Sequence, residues 1–327
     1  MIDAKILAHT KNSYTGDELV TFQCTYHRFI LPEVNTYRML SKNSGSSRAI
    51  PVKTRIESIL TDPAGPVEWG ENCKGMVAQN LLDGEKTEQA KIIWMEACQY
   101  AIECAKKLSE LGVHKQIVNR LLEPFSWQTS VITGNREWFE HMFAQRIHKD
   151  AQPEFRELCK KMKEVLDNSV PKLDVPHQPY ITDKEVENEQ GLYYLLARYS
   201  VARCARVSYT PFDSNRPDWE KDMALYYRLL YSDPPHMSPF EHYAFPYKHN
   251  TNAEDIGQKG EVQRGDVKEK KFNNLKGFVN LRYIIEHTQC EDPDQEIEDI
   301  DENLENGFVT EKLLERLKPC YMFIKIC

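Results

Sequence analysis

Tyr37-Arg-Met-Leu-Ser-Lys-Asn-Ser-Gly-Ser-Ser-Arg48 decides how the rest of this chain is read. It follows a strand-like run, Leu19 to Ile30, and leads into Ala49-Ile50-Pro51. Two arginines, Arg38 and Arg48, flank a stretch of Ser, Asn and Gly. Small polar residues let a backbone approach a ligand closely, and their N–H and O–H groups donate hydrogen bonds. Arginine adds a planar fork suited to phosphate. The segment is either a cradle for an anionic, oxygen-rich ligand such as a nucleotide or a polar surface loop; composition alone leaves both open.

A second block comprises Arg120-Leu-Leu-Glu-Pro124, Thr133-Gly134-Asn135, Arg146, and Ala151-Gln152-Pro-Glu154-Phe-Arg156. Arg146 lies near the apolar face that carries Phe139 and Phe143. Burying a charge is costly, so this arginine needs a partner: a salt bridge, with Glu154 as the candidate, or a ligand. A third block comprises Ala205-Arg206-Val207-Ser208-Tyr209 and His236-Met-Ser-Pro-Phe-Glu-His242. His236, His242 and His249 raise the question of a metal. Their spacing matches no common zinc pattern and no cysteine sits close by, so a hydrogen-bonding site for a heterocycle is expected and a metal is not.

Arg38, Ser41, Asn43, Ser46 and Arg48 fall in register with Arg-His-Arg-x-x-Ser-x-Asn-x-x-Ser-x-Arg, and the chain resembles the flavin-dependent thymidylate synthases (ThyX family). Arg120, Asn135 and Arg146 match that family's second block, and Ala205 to Tyr209 and His236 to His242 its third. Thr36 and Tyr37 replace the family's first Arg and His, Ser44 its usual Glu, and Glu137 an Arg that often follows the Asn; His141 stands where an Asn or His contacts the flavin. The blocks occur in a different order: those that come first in the family come last here, as after a circular permutation. The resemblance spans residues 20 to 50, 115 to 160 and 200 to 247.

The resemblance implies an α+β fold, a small β-sheet with many helices. It implies reductive methylation of dUMP to dTMP with FAD, NADPH and methylene-tetrahydrofolate. Arg146 and His236 would be the catalytic residues. Glu33, Ser46, Ser47, Arg48, Arg120 and Arg146 would hold the nucleotide. Tyr37, Arg38, Asn43, Asn135, His141, Ser208, His236, Ser238 and Glu241 would hold FAD. It further implies a homotetramer with active sites built at subunit interfaces. Two alternatives stay open: a related flavin-dependent pyrimidine nucleotide (hydroxy)methyltransferase, and a catalytically silent nucleotide-binding or scaffold protein.

The 327 residues are 41% hydrophobic and 28% charged, ordinary for a soluble globular protein. No run approaches a bilayer-spanning length, and Met-Ile-Asp-Ala-Lys lacks a signal peptide's basic start and apolar stretch, so a cytoplasmic protein is expected, in the host cell if viral. The nine cysteines are scattered without a Cys-x-x-Cys pair, which favours free thiols. Glu291 to Glu305 holds nine acidic residues and no Lys or Arg, more than the whole net charge of -8. The rest of the chain is near neutral, which argues against nucleic acid as a partner. One domain over 1–290 is expected, then an acidic segment and C-terminal tail over 291–327.

Alternation predicts a strand over 19–31, and Pro, Gly, Asp and Asn predict an irregular connection over 60–86. Thr87–Leu111 reads as a helix with Ile92, Ile93, Ala97, Tyr100, Ala101, Cys104 and Leu108 as its apolar stripe. Asn135–Ile147 reads as a helix burying Trp138, Phe139, Met142 and Phe143, and another begins at Asp150 to Pro153. A polar connector is expected over 166–185, helices over 189–204, 217–231 and Asn274–His287, a strand over Ser238–Tyr247, and an exposed loop over 248–270. There is no Gly-x-Gly-x-x-Gly, Walker A, His-Glu-x-x-His or Gly-x-Ser-x-Gly motif.

Overall fold

The computed structural model describes residues 1–189, 192–208, 218–248, 271–272 and 274–287, together with Ile297 and 309–310. Its centre is a five-stranded sheet of β1 (Asp3–Lys11), β2 (Glu18–His27), β3 (Ser41–Ser44), β4 (Trp127–Asn135) and β5 (Lys172–Leu173). The order is β3-β4-β2-β1-β5, antiparallel except for the β1/β5 pair. The strand read from 19–31 ends earlier, at His27, and turns into a 3-10 segment, Arg28–Ile30. Strand β1 had no sequence expectation. Its burial is irregular, and its register with β2 shifts between Ile6 and Ala8, which blurs the period-two signal.

The helices up to residue 230 are α1 (Leu31–Asn35), α2 (Val52–Thr61), α3 (Gly84–Glu110), α4 (Lys115–Val118), α5 (Arg136–Arg146), α6 (Pro153–Asp167), α7 (Asp183–Asn188), α8 (Tyr193–Ala205) and α9 (Trp219–Leu230). Helices α5 and α6 cover one face of the sheet. Phe139, Met142, Phe143, Phe155, Leu158 and Met162 pack there against Val20, Phe22 and Ile132. Trp138 is only partly buried.

In α3 the apolar stripe differs from the expected one. Ile92, Ile93 and Tyr100 are 58%, 65% and 67% exposed, while Cys98, Ile102 and Ala105 are buried against α2 and the Asn119–Phe125 turn. The helix carries two adjacent apolar stripes, and period alone does not say which one meets the core.

The third layer holds α8, α9, β6 (Ala244–Lys248), β7 (Lys271–Phe272), β8 (Leu275–Lys276), β9 (Phe278–Asn280), α10 (Leu281–His287) and β10 (Val309–Thr310). The single strand expected over Ser238–Tyr247 is a 3-10 turn, Ser238–Glu241, followed by β6. The helix expected over Asn274–His287 is helical only from Leu281; Gly277, at φ +68°, turns the chain between two short strands. Ile297 and Val309 are buried in this layer's core, and β10 pairs with β6. The loop expected over 248–270 and most of the acidic segment lie outside the described residues.

Charge inside this layer is matched. Arg203 is 0% exposed. It donates to Asp222 (2.9 Å), Glu185 (2.7 Å) and the Tyr180 carbonyl (2.9 Å). The second Asp222 oxygen lies 2.8 Å from Arg206. This network fixes α8 against α9. Among the described residues the cysteines are free thiols, and no helix is long and apolar enough to cross a membrane.

Candidate active site

The loop that opened the sequence reading is held from behind. Its first part is edge strand β3, paired with β4 through Ser41↔Thr133 to Ser44↔Ser130. Past β3, Glu123 is the hub. Its Oε1 accepts from Ser47 Oγ (2.6 Å), Arg120 (3.0 Å) and Arg28 (3.2 Å). Arg28 also donates to the Gly45 carbonyl (3.0 Å) and to Gln128. Asn119 donates to the carbonyls of Ser47 and Ile50. Ser47 and Arg120, both expected at the nucleotide, therefore engage Glu123 in the loop's support. Arg28, Asn119 and Glu123 were not anticipated as site residues, although Glu123 sits within the Arg120–Pro124 block.

The third block closes on this loop within one chain. Asn43 Nδ2 donates to the Cys204 carbonyl (2.7 Å), and Ser238 Oγ donates to Asn43 Oδ1 (3.3 Å). A Cβ on Gly45 would stand 3.3 Å from the Val207 carbonyl, so glycine permits the close approach. Between the two blocks lies a cavity of ≈ 640 Å³. Asn43, Ser46, Arg48, His236 and Ser238 line it, with Arg228 of α9, a residue outside the sequence blocks. No carboxylate lines it, and neither guanidinium has an ion-pair partner among the described residues. The Ser208 side chain lies outside the described residues.

Arg146 is elsewhere. It lines a smaller cavity, ≈ 300 Å³, with Tyr37, Arg38, Trp138, His141 and Gln145. The Glu154 salt bridge does not form; Glu154 instead accepts from Val67 N–H and Gln152. Arg146 Nε donates to the Tyr37 hydroxyl (2.8 Å), and its guanidinium lies over the rings of Tyr37 and Phe155. The Tyr37 hydroxyl donates to Gln145 Oε1 (2.9 Å), whose amide meets His141 Nε2 (3.0 Å). Each link polarises the next, and together they fix the arginine's orientation. Sequence spacing could have found Gln145, one helical turn after His141.

The remaining expected residues lie outside both cavities. Asn135 is buried and its amide is fully engaged: Nδ2 donates to the carbonyls of Lys276 (2.9 Å) and Glu18 (3.4 Å), and Oδ1 accepts from Lys276 N–H (2.8 Å). Lys276 also pairs with Glu137 at 2.7 Å. Asn274 donates to the Met39 carbonyl and to Ser41. The Asn274–Gly277 turn is thus a strap over this corner. Glu33 lies on α1 with Oε2 buried and without a hydrogen bond. Glu241 accepts from Arg282 (2.6 Å).

His242 is interior. Its Nδ1 meets Thr133 Oγ1 (2.7 Å), which meets Thr21 Oγ1 (2.6 Å), which meets His177 Nε2 (2.7 Å); His177 Nδ1 meets Thr10 Oγ1 (2.9 Å). Burial, reinforced by the neighbouring histidines His9 and His242, pushes His177 down to about 3. Burial likewise takes His242 to about 4, against the pull of Glu241. Both rings are neutral near pH 7, and the chain of hydroxyls and imidazoles locks the third block to the central sheet.

A family model described as thymidylate synthase complementing protein matches residues 4–172, a span that holds the first two blocks and ends before the third. No curated protein matches. Among solved structures, the UMP/dUMP methylase PolB from Streptomyces cacaoi bound with 5-Br UMP is 14% identical with a TM-score of 0.42, over 51% of this chain and 89% of that one. PolB bound with 5-Br dUMP is 16% identical, TM-score 0.37, over 46% of this chain; the chain spans 66% of that PolB chain. ThyX from Helicobacter pylori complexed with FAD and dUMP is 15% identical, TM-score 0.33, over 45% of this chain and 67% of that one. The match over residues 4–172 takes in more than half of the 327 residues, and the chain belongs to the thymidylate synthase complementing proteins, the ThyX family of flavin-dependent thymidylate synthases.

Proposed function

We propose that the protein binds FAD and dUMP and methylates the nucleotide to dTMP, with methylene-tetrahydrofolate as carbon donor and NADPH as reductant. One observation carries the reading: loop residues Asn43, Ser46 and Arg48 and third-block residues His236 and Ser238, far apart in sequence, line one cavity. The arginine of this set fits the phosphate oxygens of a nucleotide or dinucleotide, and ≈ 640 Å³ lies within the roughly 300–1,000 Å³ of small-molecule sites. Asn135 does not fit a cofactor role as placed, because its amide is already engaged by the strap.

The bound flavin supplies the redox chemistry and the folate the one-carbon unit. This chain's residues bind and orient. Arg48 and Ser46 hold the nucleotide phosphate, and Ser47 and Arg120 fix that loop through Glu123. Arg146, oriented by Tyr37, stabilises negative charge on the pyrimidine as its C5 becomes nucleophilic. His236 and Ser238 face the cofactor.

Within one chain the Arg48 and Arg146 cavities are separate. We infer that a homotetramer joins them, one copy supplying Arg146, Arg38 and His141 to the Arg48 cavity of another. Light scattering at micromolar concentration checks this; a monomer contradicts it.

One observation favours a second reading. Tyr37 stands where relatives carry His and holds Arg146 directly, so the group facing the pyrimidine differs. A related enzyme acting on dCMP, or adding hydroxymethyl, would differ at such a position. Product analysis after incubation with FAD, NADPH, methylene-tetrahydrofolate and either dUMP or dCMP decides. dTMP from dUMP supports the first reading, and a hydroxymethylated product or turnover of dCMP supports the second. A folded protein that takes up no flavin defeats both.

A further inference from the structure

Helix α9 lies between the two parts of the third block, and one of its faces borders the large cavity. Leu225, Arg228 and Leu229 line it at helical spacing, with Ser232 just past the helix end. Leu225 is buried and Leu229 packs on the core of the third layer, so this face is fixed. Arg228 stands among them with an exposed side chain.

Arg228 brings a second guanidinium to the cavity that holds Arg48. Two like charges in one concavity repel, and among the described residues no carboxylate lines the cavity to offset them. Three other basic groups among the described residues are engaged. Arg206 meets Asp222, Arg28 meets Glu123, and Lys42 donates to the carbonyls of Tyr37 and Leu40. A concave surface with two unmatched cations focuses positive potential on an anion. Guanidinium forks match phosphate oxygens, and Ser46, Ser232 and Ser238 line the same cavity.

We propose that Arg228 is a phosphate-binding residue that acts with Arg48, so that the cavity takes a phosphate ester held between two arginines. The proposal rests on the nucleotide reading above for the identity of the ester. Two sources share this chemistry, the monophosphate of the nucleotide and the diphosphate of the flavin dinucleotide.

Arg228→Gln, Arg228→Lys and Arg48→Gln in the full chain test the proposal by calorimetric titration with dUMP, deoxyuridine, FAD, riboflavin and inorganic pyrophosphate, beside melting temperature. Arg228→Gln is expected to weaken at least one phosphorylated ligand about tenfold, the loss of one charge-assisted contact. The unphosphorylated counterpart and the melting temperature stay unchanged, and Arg228→Lys recovers part of the loss. A loss confined to dUMP assigns the contact to the nucleotide, and one confined to FAD to the cofactor diphosphate; either supports the proposal. Unchanged binding in Arg228→Gln where Arg48→Gln binds weakly overturns it and leaves the nucleotide reading intact. If the wild type binds neither dUMP nor FAD, the nucleotide reading fails, and pyrophosphate decides alone: binding lost in Arg228→Gln supports the proposal, and no binding by the wild type overturns it.

Discussion

The large cavity and the layer beneath it treat charge in opposite ways. Under the cavity, Arg203 is fully buried and meets Asp222, Glu185 and a carbonyl. At the cavity, Arg48 and Arg228 meet no carboxylate among the described residues. A buried charge without a partner costs several kcal/mol, so the interior must match its charges. An exposed arginine is hydrated, so a cavity can hold its charge ready for a ligand. Substitutions in the first region should therefore change stability, and those in the second ligand affinity.

The largest effect should come from Asp222→Ala. It leaves Arg203 and Arg206 without their shared carboxylate and should remove about 3–5 kcal/mol of stability. Urea unfolding with a probe on the third layer measures it; a loss below about 1 kcal/mol would erase the contrast between the two regions. Arg146→Ala should come next. On its proposed role in stabilising charge in the transition state, turnover should fall about 10²-fold or more while flavin affinity changes less. Equal losses in both would make Arg146 a general binding group instead.

Arg48→Lys keeps the charge and loses the fork. It should weaken dUMP binding by about 1.5–3 kcal/mol and leave the melting temperature in place. If stability falls while affinity holds, Arg48 belongs with the interior.

The smallest expected effect sharpens the comparison from inside. Thr133→Val cuts the link between His177 and His242 and should cost about 1–3 kcal/mol. The same network gives a pH dependence. His177 and His242 titrate near 3 and 4 in the folded protein but near 6.5 when unfolded. Between these values the unfolded chain binds more protons, so stability falls as pH drops from about 6.5 towards 3 and the contribution levels off below. A stability curve over that window measures the slope. His242→Asn should flatten it; an unchanged slope would remove His242 from the cause.

The helices with one apolar face were legible before the structure. Phe139, Met142 and Phe143 marked the buried side of α5, and all three are core. The cavity-lining character of Asn43, Ser46 and Arg48 was legible from arginine and small polar residues at fixed spacing, whereas Arg38 lines the other cavity. The stripe of α3 was not, because Ile92 and Tyr100 are as apolar as the residues that became buried. Strand β1 was not, because a shift of register breaks its alternation.

By itself the sequence determined the family pattern, the residue types of the Arg38–Arg48 loop and the α+β mixture, all properties of local spacing and composition. Only the tertiary structure decided which donors remain for a ligand. It engaged Asn135 with the strap, turned His242 inward, tied Ser47 and Arg120 to Glu123, and brought Arg228 to Arg48. The physical reason is that a polar group's availability depends on its partners in space, and those partners come from segments that no local spacing connects.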